Sequence, residues 1–171
     1  MALKKFQTQS WESVLDQLKH HLLTHEDIGS AIVRLGKPFD CAKILAAKEI
    51  VAAYLNDPNN WVRHEALWFL TCWGRLKEYQ PALIAALRSD PEADNRSFAA
   101  TCLGRLQEGT SDRGAVSALK ASVEDQSEDE LVRLHAYRGL LQVAKGISDT
   151  SYTPHDHKLS EIDWQWVRTL S

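Results

Sequence analysis

At 171 residues, the chain is long enough for one domain with a substantial core and too short for two comfortable ones. Its composition, 44% hydrophobic and 25% charged with five prolines, is that of an ordinary globular protein with a bias toward helix. The net charge of −3 provides no basic excess to neutralise a phosphate backbone, so it disfavours nucleic acid as a partner.

The amino terminus does not have the pattern of a targeting segment. Polar residues interrupt the apolar ones between Met1 and Leu18, so the unbroken apolar core of a signal peptide is missing. No apolar run in the chain approaches the length of a membrane span. We therefore expect a cytoplasmic protein that does not associate with a membrane.

A pair of helices is predicted over residues 6–36. The two helices are Trp11–Leu23 and Glu26–Leu35, and the sequence Gly36-Lys37-Pro38 ends the second one. The first helix has one apolar stripe, which consists of Trp11, Val14, Leu15, Leu18 and Leu22. Such a pair is suited to cap a stack of repeats, because the end of a stack otherwise exposes its core.

An internal repeat follows, over residues 39–145. Ile50–Trp73 aligns without a gap onto Leu83–Leu106 at an offset of 33 residues, with seven identities. The identical residues of the first copy are Ala52, Ala53, Asp57, Pro58, Arg63, Ala66 and Leu70. A third copy matches at Val132, Arg133, Ala136 and Leu140, and Gly114–Glu124 would be its first helix. The sequence therefore predicts three related units.

Each copy predicts two helices with a sharp turn between them. Pro58 and Pro91 end the first helices, and Asp57 and Asp90 stand where a side chain can cap the next helix. The second helices carry apolar residues at helical spacing, which predicts core stripes. These are Val62, Ala66, Phe69, Leu70 and Trp73; Ala99, Cys102, Leu103 and Leu106; and Val132, Ala136, Leu140 and Val143.

The carboxy terminus predicts one further helix. A polar linker over residues 146–158 leads to a capping helix over residues 159–171. This helix would place Leu159, Ile162, Trp166 and Leu170 on one side.

The three copies read DPNNWVRHEALWFLT, DPEADNRSFAATCLG and EDELVRLHAYRGLL. They resemble HEAT repeats, particularly those of the bilin-lyase-like bacterial branch, which carry a D-P turn, V-R, an alanine and L-G. Thr71 departs from the glycine of that pattern, and the third copy lacks the Asp-Pro. The resemblance implies an all-α fold, an α-α superhelix of the HEAT-like solenoid type with stacked antiparallel helix pairs, as a single domain over residues 1–171.

The same resemblance implies that the repeated Asp/Arg pairs, Asp57/Arg63 and Asp90/Arg96, form structural ladders. His64-Glu65 resembles the His-Glu motifs of the deoxyhypusine hydroxylases, but the equivalent positions in the other copies do not repeat it. Cys41, Cys72 and Cys102 have no zinc or disulfide spacing and are interpreted as small apolar residues. We therefore predict no metal, no cofactor, no catalytic residue and no enzymatic activity.

Positions that are bulky in one copy and polar in another indicate a role other than stacking. Trp61 corresponds to Asp94, and Trp68 corresponds to Thr101. At about 100° per residue, Trp61, His64 and Trp68 form a stripe turned away from the core. Second helices of HEAT-like solenoids usually line the concave surface, so we predict a partner-binding face at Trp61, His64, Trp68, Thr101, Arg105, Arg138 and Gln142. In the alternative interpretation, the amino-terminal helix pair covers Trp61 and Trp68 as core aromatics.

The predicted function is a non-catalytic protein-binding module, an adaptor or an inhibitor such as a toxin-neutralising immunity protein. Size and repeat type alone suggest the immunity role. Bilin-lyase-like handling of a small molecule is the alternative that the resemblance implies. Nucleic-acid binding, as in HEAT-like DNA glycosylases, is disfavoured by the acidic balance. The identity of the partner and the oligomeric state stay open.

Overall fold

The computed structural model describes residues 6–37, 39–147 and 158–170, and these residues form nine α-helices without a β-strand. The helices are α1 (Trp11–Lys19), α2 (His25–Gly36), α3 (Cys41–Ala52), α4 (Asn60–Leu67), α5 (Gln80–Ser89), α6 (Ala93–Leu106), α7 (Arg113–Glu124), α8 (Glu130–Lys145) and α9 (Trp164–Thr169). Neighbouring helices pack against each other as in an α-α solenoid. The predicted all-α fold class is therefore confirmed.

The chain divides into two compact units, Met1–Leu76 and Lys77–Ser171. The amino-terminal unit contains the helix pairs α1/α2 and α3/α4, and the carboxy-terminal unit contains α5/α6, α7/α8 and α9. The first sequence repeat thus lies in one unit, and the second and third lie in the other. A single domain over residues 1–171 stays a prediction. Most of the predicted linker, residues 148–157, lies outside the described residues.

The buried residues follow the predicted stripes of the second helices. Every member of the three stripes is buried except Trp73, which is half-exposed. The stripe predicted for the first helix is wrong at Leu22, which is 68% exposed. The reason is that α1 ends at Lys19 and the chain reverses at His21, whose φ is +53°.

The turns between paired helices differ in detail from the predicted caps. Asp57 and Asp90 each accept a hydrogen bond from the N–H two residues later, at Asn59 and Glu92 (2.8 and 3.0 Å). These are Asx turns, which fold the chain just before the helix starts. Asn59 itself is the residue that caps α4.

The arginine that recurs in each repeat binds main-chain oxygens. Nη1 of Arg63 donates to the carbonyls of Asp57 and Pro58 (2.9 and 3.1 Å). Arg96 does the same with the carbonyls of Asp90 (2.7 Å) and Pro91 (3.3 Å), and Nε of Arg133 donates to that of Val123 (3.1 Å). Arg63 and Arg96 therefore tie their helices to the turn just before them, and Arg133 ties α8 to the last turn of α7. The Asp/Arg ladder between neighbouring units stays a prediction.

Arg96 also connects the second and third repeats. Its Nε and Nη2 donate to the two carboxylate oxygens of Glu128 (2.9 and 2.8 Å). This paired geometry is the strongest form of a salt bridge. The hydrogen bond with Glu128 raises the pKa of Arg96 further, so the guanidinium stays charged.

The second helices of the carboxy-terminal unit pack backbone to backbone. A Cβ atom placed on Gly104 of α6 would lie 2.7 Å from Cα of Gly139 on α8. A Cβ atom placed on Gly139 would lie 3.0 Å from the carbonyl oxygen of Ala100. The two helices approach this closely because glycine stands at both contact points.

The last helix starts later than predicted. A 3₁₀ turn covers Leu159–Glu161, and α9 begins only at Trp164, with Asp163 as its cap. Ile162 and Val167 are the buried side chains of this segment, and Trp166 is half-exposed. Of the predicted stripe, Ile162 is buried, and Leu159, Trp166 and Leu170 are half-exposed. A non-helical step separates Ile162 from α9, so the four residues do not lie on a single helix.

Candidate functional site

The second helix of the amino-terminal unit changes its pitch at Trp68. α4 continues into a π turn, Trp68–Trp73, in which the N–H of Gly74 bonds the carbonyl of Phe69 (2.9 Å). The hydroxyl of Thr71 donates to the carbonyl of Leu67 (2.6 Å), a side-chain bond that competes with the regular helix. Thr71 is also the residue that replaces the glycine of the repeat pattern.

The π turn brings Trp73 over Trp68. Residues five apart on an α-helix point about 140° away from each other. Because a π turn closes one residue later than an α turn, these two side chains instead lie on the same side. Their ring centroids are 6.1 Å apart at 81°. This is why Trp73 leaves the core that holds its repeat equivalents, Leu106 and Val143.

Four rings follow one another on this side of the amino-terminal unit. Phe39 meets Trp73 edge-on (5.8 Å, 90°), Trp73 meets Trp68, and Trp68 stacks on His64 (6.2 Å, 26°). Phe39 is 65% exposed, and the other three side chains are partly exposed. We call Phe39, Trp73, Trp68 and His64 the aromatic strip.

Phe39 presents its ring from a strained backbone. Its φ is +49°, in the left-handed region that bulky residues avoid. The N–H of Phe39 bonds the carbonyl of Gly36 (2.9 Å), which closes the turn after α2. Strain of this kind persists where the surroundings hold it, and it is concentrated at functional sites.

Two glycines of α2 form seats for tryptophan rings. A Cβ atom on Gly36 would overlap the ring of Trp73, and one on Gly29 would lie 2.8 Å from the ring of Trp61. Trp61 keeps 37% of its surface exposed, and its Nε1 donates to Glu65 (2.9 Å). The ring of Trp61 therefore packs on α2 and still keeps part of its surface exposed. Neither the partner-binding interpretation nor the core interpretation of Trp61 describes this position completely.

The four other predicted residues lie in the carboxy-terminal unit. The Thr101 hydroxyl contacts Nδ1 of His135 (2.7 Å), which links α6 to α8. The side-chain amide of Gln142 lies over Gly104. Thr101 and Gln142 therefore contribute to helix packing. Arg105 is exposed and Arg138 is half-buried.

His135 makes the stability of this unit depend on pH. Burial lowers its pKa from the ordinary 6.5, and the nearby charge of Arg138 lowers it further. The folded protein thus favours neutral His135, whose stabilising contribution is complete above pH ~6.5 and is lost as the pH falls through the lower folded pKa.

We expect the free energy of unfolding to decrease between about pH 7.5 and about pH 5.5, and to decrease less in His135→Gln. Urea denaturation at the two pH values measures this. The same decrease in the wild type and the variant would contradict it.

Sequence reasoning missed Phe39 and Trp73. Phe39 directly follows Gly36-Lys37-Pro38, which indicates only a helix stop, and Trp73 has the spacing of a core residue on a regular helix. The available signal was Thr71, because a hydroxyl in place of glycine on the second helix can open the helical pattern.

Three further features concern metal sites, the cysteines and membrane-spanning helices. Within the described ranges, no three His, Cys, Asp or Glu side chains come together as a metal site. Cys102 is buried and Cys72 is half-buried, but Cys41 is exposed at the first residue of α3, so the interpretation as a small apolar residue does not explain Cys41. None of the helices described is both long and apolar enough to cross a membrane.

An all-α chain of paired helices with a recurring arginine at each turn defines a helical-repeat protein. The family of HEAT repeats matches residues 80–151. Residues 80–151, which include the second and third predicted copies from Gln80 onward, are therefore similar to HEAT repeats, as the sequence pattern predicted for this part. A comparison with curated proteins gave no significant match.

Proposed function

We propose that this chain is a non-catalytic protein-binding module that acts as an adaptor or as a stoichiometric inhibitor, the class to which toxin-neutralising immunity proteins belong. The aromatic strip is its main contact surface in the amino-terminal unit. The observation that carries the proposal is the continuous series of four partly exposed rings, which ends in the strained and largely exposed Phe39. HEAT repeats commonly mediate protein–protein interaction, and this supports the choice of partner.

The strip has the physical properties of a binding hot spot. Tryptophan is enriched among the residues that dominate interface energies, and aromatic rings bury a large area with few rotatable bonds. The glycine seat under Trp73 holds that ring in place before binding. Because less side-chain freedom is lost on association, more of the contact energy appears as affinity.

Differential capture from native lysate tests the proposal. Tagged wild type and the variant Phe39→Ala are compared by mass spectrometry, with Leu45→Ala as the matched control. Leu45 is a similarly exposed apolar residue (52%) on α3, outside the strip. A protein captured by the wild type and by Leu45→Ala, but depleted with Phe39→Ala, supports the strip. A partner captured equally by all three chains would show that it binds elsewhere.

The identified partner then allows an affinity measurement. We expect Trp68→Thr, which introduces the residue of the second repeat, to weaken binding about thirtyfold, or ~2 kcal/mol. The partly exposed position of Trp68 predicts a smaller loss of folding stability than the ~3 kcal/mol typical of a buried tryptophan. Calorimetric titration and thermal melts of the same samples separate the two effects. A strongly lowered melting temperature with unchanged affinity would contradict the proposal.

A further inference from the structure

The carboxy-terminal segment, residues 158–170, docks on one face of α7 and α8. The Trp166 ring lies against Tyr137 (6.0 Å, 71°) and beneath Nζ of Lys145 (4.1 Å). The guanidinium of Arg133 lies 5.8 Å from the centre of the Trp164 ring. The segment therefore meets the face through two half-buried tryptophans with cations above them, in addition to the buried side chains of Ile162 and Val167.

Main-chain hydrogen bonds fix the same segment on either side of α9. Nζ of Lys120 on α7 donates to the carbonyl of Leu170 (2.6 Å). The N–H of Asp163 donates to the hydroxyl of Tyr137 (3.2 Å). These contacts set the direction of the bound chain, because they bind its backbone and not only its rings.

The segment depends on the face for its structure. α9 has six residues, which is too short for a helix to be stable alone in water. Only Ile162 and Val167 are buried within it. The face, in contrast, belongs to two long helices whose own core residues, among them Leu119 and Leu140, are fully buried. The segment therefore resembles a peptide that is bound to a preformed site.

We propose that this face of α7 and α8 is a peptide-binding site for a helical turn of the type Trp-x-Trp, filled in cis by residues 158–170 and in trans by the same segment of a second copy. The ligand supplies two indole rings and a main-chain carbonyl group. The face supplies two cations that lie over the rings and a lysine that binds the carbonyl. A second copy of the chain carries this ligand because it has the same sequence. Exchange requires only that the segment leaves while α5–α8 stay folded.

A labelled synthetic peptide with the sequence of residues 158–170 tests the site, with binding to the full-length protein followed by fluorescence anisotropy. Val167→Asp in the protein weakens its own segment, so we expect this variant to bind the peptide at least about tenfold more tightly than the wild type. A peptide with Trp166→Ala should bind at least about tenfold more weakly. Absence of binding to Val167→Asp, or binding that ignores Trp166→Ala, would overturn the proposal.

Two measurements on the wild-type chain test it without a variant. Amides of α9 should exchange with deuterium at least about tenfold faster than amides in the middle of α8, because the segment opens on its own. Equal rates would mean that it leaves only on global unfolding. Light scattering at high protein concentration should detect dimers that excess peptide dissociates, and a chain that stays monomeric throughout would refute the exchange.

Discussion

Replacing Gly104 by alanine should lower the free energy of unfolding by about 2 kcal/mol, measured by urea denaturation. The added methyl group would lie 2.7 Å from Cα of Gly139, so two helix backbones have to move apart. Overpacking of this kind costs up to about 3 kcal/mol, and the better helix propensity of alanine returns about 1 kcal/mol. The steric term therefore dominates.

Gly114→Ala is the matched control for this substitution. Gly114 is exposed at the start of α7, and its added Cβ would lie 3.3 Å from the Asp112 carboxylate. The carboxylate of Asp112, which caps α7 and binds Gln80, has to yield by only a few tenths of an ångström, so we expect a change within about 1 kcal/mol. A Gly104→Ala protein as stable as this control would contradict the close contact of α6 and α8.

Arg96→Ala should also destabilise the protein by about 2 kcal/mol. The change removes two charged hydrogen bonds to Glu128 and two bonds to main-chain carbonyls. It leaves the Glu128 carboxylate, 13% exposed, without its bidentate partner. A fully buried pair would cost more, but partial exposure of both groups reduces the loss.

A double-mutant cycle isolates the contribution of the Arg96–Glu128 pair. Glu128→Gln alone and combined with Arg96→Ala should give a coupling free energy of about 1 kcal/mol. Arg88→Ala serves as the control, because this arginine is exposed on α5, and we expect a change within about 0.5 kcal/mol. Additive effects of the two substitutions would show that the salt bridge contributes nothing, and the carbonyl bonds would then carry the loss.

Most of the fold could be predicted because the repeat supplies the same signal several times. Asp57-Pro58 and Asp90-Pro91 mark the turns, and the apolar stripes after them identify the second helices. Prediction failed where one local event changed the periodicity. Leu22 lies outside the core because α1 ends at Lys19, and Trp73 lies outside the core because the π turn rotates its side chain.

The candidate site could be predicted only in part. The helical periodicity predicts whether a side chain points toward the protein core. It does not predict which neighbouring helix packs against that side chain. Thr101 and Gln142 are polar and point away from that core, yet they serve the contact between α6 and α8. The distance between these helices follows from Gly104 and Gly139 together, and no single helix contains that information.

The arginines that bind main-chain oxygens make no demand on the side chains that follow the aspartate of each repeat turn. Every residue carries a carbonyl group, so the contacts that Arg63 and Arg96 make do not depend on which side chains the turns present. Residues such as Asn60 and Ala93, just after the turns, already differ between the two copies. A protein engineer could therefore vary the positions that follow each Asp-Pro pair, keep the aspartate that folds the turn, and retain the bonds between the arginine and the turn.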